Sequence, residues 1–166
     1  MLQFSQRILV FLILVLVQVL VLNHIQIAGY ATPSLFIYYI LILNSETSRN
    51  SLLLQAFLIG LCVDIFSNTP GMNAASATIL AFIRKPMLHV HMQHDMTDDF
   101  EPCIRTLGFF NFLRYVLTGA LTFTLFLQIL SSFSFAHGKD FILRIITNTL
   151  MTVFLIMCVD VLRRKK

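Results

Sequence analysis

Charge is scarce in this chain. Only 12% of its 166 residues are Asp, Glu, Lys or Arg, while 57% are apolar, against about a quarter charged and half apolar in soluble domains. With a mean hydropathy of +0.82, that imbalance excludes an ordinary water-soluble domain and reads as a membrane chain. Cysteine is nearly absent too: Cys62, Cys103 and Cys158 are far apart and no CxxC pair occurs, so neither a disulfide framework nor a zinc site is expected. No nucleophile stands near a base, and there is no phosphate-cradling or dinucleotide-binding glycine loop. An enzyme is not indicated and no cofactor is expected.

What is present is a series of apolar runs. They predict an all-α polytopic bundle of six transmembrane helices, a single membrane domain over 1–166, with spans near 8–27, 33–44, 52–66, 72–85, 107–130 and 141–162 and an inner loop at 87–106. The first and last two approach the ~20 residues needed to cross a hydrocarbon core, and the middle three fall short. Those three must recruit flanking residues, sit inside the bundle, or thin the bilayer. The basic residues give the topology. Arg7, Arg49, the Arg84 and Lys85 pair, and the terminal run from Arg163 are separated by two spans each, which puts both chain ends on the cytoplasmic side. A cleaved leader around Ala28 to Ala31 is the alternative for the first run, at the cost of that parity. The net charge of +4 is spent on these clusters and makes no nucleic-acid stripe.

Turn residues agree with the boundaries: Pro33 suits a first helical turn, Pro70 and Gly71 a turn, and Pro86 a helix end. Within "GLCVDIFSNTPGMNAAS" the question is Asp64, a carboxylate in an apolar run, which costs a few kcal/mol at the membrane centre and so marks either packing or function. It shares a helix face with Gly60, and a glycine there admits another helix backbone closely. Two fates are open to the carboxylate: a pair with Arg144, at similar depth in the last span, or snorkelling to the headgroups. Asp160 lies at the opposite depth, which argues against a paired-aspartate protease. The inner loop carries His89, His91, His94 and Asp95, competent metal ligands in principle but read as a solvated juxtamembrane loop, so no metal is expected. Arg114, with Asn111, Thr118 and Thr122, forms a polar stripe: either a water-lined path or an interfacial lead-in with Tyr115 in an aromatic belt.

Together, "NHIQIAGYATPSLFIYYILIL" and "GLCVDIFSNTPGMNAASATILAFI" resemble the rod shape-determining protein MreD family, on Pro33, Gly60, Leu61, Asp64, Pro70, Gly71 and Asn73. The likeness covers roughly Leu22 to Ile83, and beyond it rests on length, span number and the basic tail. It implies a multi-pass protein of the bacterial cytoplasmic membrane, with an architecture similar to the substrate-binding subunits of energy-coupling-factor transporters. The implied role is a non-catalytic scaffold of the cell-elongation complex. Its implied partners are MreC, RodA, a class B penicillin-binding transpeptidase and, indirectly, the MreB filament. Besides those motif positions, Arg144 is the remaining structural or partner-contact candidate. The alternative is a solute-binding subunit of an energy-coupling-factor-type transporter. Such subunits carry small residues at i, i+4 on span one, whereas "ILVFLILVLVQVLVL" contains no alanine or glycine.

Overall fold

The computed structural model describes residues 2–22, 33–92, 100–131 and 138–163. Every regular element among them is helical: α1 (Leu2–Val17), widening to π geometry over Gln18–Leu22, α2 (Ile37–Ile42), α3 (Arg49–Ser67), α4 (Met72–His91), α5 (Ile104–Leu107), α6 (Phe109–Ser131) and α7 (Gly138–Arg163). Helices are what this composition permits, because a backbone surrounded by hydrocarbon has to satisfy its own N–H and C=O groups.

Among the described residues, three segments are long and apolar enough to cross a membrane: Arg49–Ser67, Phe109–Ser131 and Phe141–Arg163, with Ile8–Leu22 a shorter apolar helix. The short third run has indeed recruited its flanks, starting at Arg49 behind the cap of Ser48, whose side chain accepts from the Ser51 amide. The fourth likewise runs on to His91, so Pro86 lies inside α4 and does not end it.

The second run behaves differently. Its helix has six residues, about 9 Å long, where a hydrocarbon core is about 30 Å thick. Every residue from Pro33 to Leu43 is buried, and α2 packs against α1, α3, α4 and α6 together. A helix apolar on all sides belongs in such an interior. Around it α3 packs on α4, α4 on α6 and α6 on α7. The depth of α2 can be read from its partners on α7. The Ser34 amide donates to Thr152 and the Tyr38 hydroxyl to Asp160, two positions about 12 Å apart along one helix. Residues 33–43 thus lie beside one half of α7.

Candidate functional site

Several of the buried polar groups of this bundle serve helix ends. At the first junction, α3 turns into α4 through residues 68–71. Gly71 occupies the N-cap of α4 with φ 75°, and with no side chain it cannot accept from the first free amides, the usual task of Ser, Thr, Asp or Asn there. Asp64 performs that task from the neighbouring helix. One carboxylate oxygen accepts from the Asn73 amide at 3.1 Å, the Asn73 side-chain amide at 2.9 Å and the Thr69 hydroxyl, and the other accepts from the Ala74 amide at 2.8 Å. Its backbone carbonyl meanwhile receives the amides of Asn68 and Thr69, with Asn68 in the left-handed region at φ 53°. Asp64 therefore closes the end of α3 with its main chain and the start of α4 with its side chain, where the helix dipole favours negative charge.

Gly60 makes this reach possible. A Cβ there would stand 2.5 Å from the Ala74 Cα and 2.8 Å from the Asn73 carbonyl oxygen, so any side chain would push the start of α4 away from Asp64. The close approach expected from the Gly60 and Asp64 face is present, while Phe57, one turn earlier, is 44% exposed. Pro70 is exposed in the turn.

The second junction is built on Arg84, which is 0% exposed. Its guanidinium donates to the Leu41 carbonyl at 3.3 Å, to the Leu43 carbonyl and, through Nε, to the Tyr115 hydroxyl at 3.2 Å. Tyr115, also fully buried, donates to the Leu41 carbonyl at 3.1 Å. These bonds satisfy the carbonyls that α2 leaves open at its C-terminus, and the cation complements the negative end of the helix. One expectation is corrected here: Tyr115 is a core residue bonded to α2, not a member of an interfacial belt. Arg84, read in the sequence as a basic marker beside Lys85, is buried while Lys85 is exposed. Nη1 of Arg84 is a buried side-chain atom with no partner among the described residues.

At the other end of α2, the buried Gln18 side chain donates to the Pro33 carbonyl at 3.0 Å and accepts from the Leu35 amide at 2.8 Å. A third anchor is Asp160, fully buried on α7, which accepts from Tyr38 at 2.9 Å and from the Ile104 amide of α5 at 3.3 Å. The Thr124 and Thr149 hydroxyls, 2.8 Å apart, tie α6 to α7.

For the remaining expected residues the outcome is mixed. Asp64 spends its carboxylate on residues 69–74, and Arg144 is an exposed residue of α7, the helix that packs on α6. The two aspartates serve different junctions, so no shared-proton pair arises. Thr118 and Thr122 donate to carbonyls of their own helix, and Arg114 is exposed. His89 is exposed, His91 Nδ1 lies 2.8 Å from the Met87 carbonyl oxygen, and no cluster of three metal-ligating side chains occurs among the described residues. His94 and Asp95, like Asn23, His24 and Gln26, lie outside the described residues.

Sequence reasoning missed Gln18, Tyr38, Thr152 and Asp160 as anchors of α2. Gln18 did carry a signal, as a lone amide in an unbroken apolar run where polar side chains face protein. No protein-family model, curated protein or solved structure matches this chain.

Proposed function

We propose that the protein is a non-catalytic membrane scaffold of the bacterial cell-elongation machinery, as its resemblance to the MreD family implies. In this reading it binds MreC, and through that association supports the RodA glycosyltransferase, its class B penicillin-binding transpeptidase and indirectly the MreB filament. It crosses the cytoplasmic membrane six times with both ends inside.

The observation that carries the reading is the use made of the motif. Gly60, Asp64 and Asn73, three of the residues on which the resemblance rests, meet in one junction whose hydrogen bonds are all internal. A carboxylate committed to four donors from residues 69–74 is a packing device, and what it shapes is the exposed turn at Pro70. A partner helix or juxtamembrane segment would meet that turn, with packing and interhelical hydrogen bonds supplying the association.

One observation favours the solute-binding reading: a buried half-helix is a device of transporters, whose broken helices aim free backbone groups at a ligand. Against it, the Ser34 and Leu35 amides are taken by Thr152 and Gln18.

Purification from native membranes in mild detergent separates the two. Recovery of MreC or of the synthase pair supports the scaffold. A vitamin-sized ligand in the folded protein, with none of those partners, overturns it.

A further inference from the structure

Between α6 and α7 lies a groove of about 650 Å³ whose lining is almost wholly apolar, with Phe109 and Leu113 on one side and Leu150, Phe154, Met157 and Leu162 on the other. From Leu150 to Leu162 it extends about 18 Å along α7, a little over half the ~30 Å of a hydrocarbon core. Arginines stand at its Leu162 end. Arg163 follows directly, its side chain 40% exposed and 3.7 Å from the Glu101 carboxylate. Arg105 is exposed on α5, one turn ahead of Phe109.

We propose that this groove binds an anionic glycerophospholipid of the leaflet on the Arg163 side, with an acyl chain along the apolar wall and the phosphate between Arg105 and Arg163. Three features select this occupant over a partner's spanning helix. The groove is one leaflet long, whereas a spanning helix needs a seam across the full core. Its walls are Phe, Leu, Met and Val, with Cys158 the smallest lining residue, and a helix docks closely on Gly, Ala or Ser. Arg105 and Arg163 stand at its Leu162 end, and basic residues between helices hold anionic headgroups. The pair with Glu101 is no obstacle, since a long, half-exposed ion pair contributes little and exchanges readily.

The chain contains no tryptophan, so Phe154→Trp introduces a single fluorophore in the groove. Leu54→Trp, at a residue 60% exposed on α3, serves as the control. Each variant is reconstituted in phosphatidylcholine bilayers doped with either brominated phosphatidylglycerol or brominated phosphatidylcholine, and quenching is compared. The expected result is selective quenching at position 154 by the anionic lipid and none of that selectivity at position 54. At about 1 kcal/mol per basic residue, the preference should fall about fivefold for each of Arg105→Gln and Arg163→Gln. Retained quenching by brominated phosphatidylcholine reports that these variants are inserted in the bilayer, and an unchanged unfolding midpoint in dodecyl sulfate reports that they are folded. Equal quenching by both lipids at position 154, equal selectivity at both positions, or selectivity that survives removal of both arginines overturns the proposal. The measurement needs neither MreC nor a synthase, so it is decided separately from the scaffold reading.

Discussion

Removing the Asp64 carboxylate should open the start of α4 before anything else. In Asp64→Ala the buried amides of Asn73 and Ala74 lose their acceptors, and each buried unsatisfied donor costs about 1–3 kcal/mol. Loss of a negative charge at a helix N-terminus adds up to about 2 kcal/mol in a partly buried setting. A destabilisation of about 2–8 kcal/mol follows, toward the lower end if water enters the turn. Asp64→Asn keeps the shape and one acceptor oxygen, but its NH2 must face an N–H donor, so about 1.5–3 kcal/mol is expected, the value of one charge-assisted bond. Unfolding of the detergent-solubilised protein, followed by circular dichroism as dodecyl sulfate is added, ranks the variants against Phe57→Ala, a change on the exposed side of the same helix. Hydrogen exchange then locates the effect: protection should fall first in peptides covering 70–80. If Asp64→Ala is no less stable than Phe57→Ala, or if protection is lost evenly along the chain, the cross-helix cap does not hold the junction together.

The other junctions give sharper contrasts. Gly60→Ala should cost about 1–3 kcal/mol as an overpacked contact, and more than Gly119→Ala, whose added Cβ meets the movable end of Leu41 at 2.9 Å instead of backbone; the same unfolding assay orders them. Arg84→Ala should destabilise by at least about 2 kcal/mol more than Lys85→Ala, because it takes the donor from the Leu43 carbonyl and leaves the Leu41 carbonyl with Tyr115 alone, and equal effects would mean that Arg84 does not hold the end of α2. Asp160→Ala should release α5 from α7, so limited trypsin digestion at Arg105 should speed up severalfold, and Asp160→Asn, whose single acceptor oxygen cannot serve both the Tyr38 hydroxyl and the Ile104 amide, should also be cut faster than wild type. If neither variant is cut faster than wild type, Asp160 does not tether that segment.

Much of the helical framework was legible in the sequence, because hydropathy and length report what hydrocarbon requires of a backbone. The runs that became α6 and α7 stand out on those grounds alone, whereas the third reaches spanning length as α3 only with its flanks. The Gly60 and Asp64 pair was legible too, since i, i+4 spacing puts both on one face and a residue without a side chain invites a neighbour. Hidden from that reading was which neighbour. The acceptors' partners come from residues 69–74, and a short turn can return the chain to Asp64 only once α3 and α4 are packed antiparallel.

The second run shows the boundary most clearly. Its apolar composition suits equally a strand of chain facing lipid and one enclosed by five helices, since both environments exclude water, and only packing distinguishes them. The same holds for Arg84: next to Lys85 it reads as a cytoplasmic marker, yet its charge is answered by the open carbonyls of α2. Sequence by itself determined that this chain is helical, apolar and closed by a glycine and an aspartate on one face. Tertiary structure decided where each buried polar group finds its partner, because hydrogen bonds between helix ends depend on distances in space that no spacing along the chain encodes.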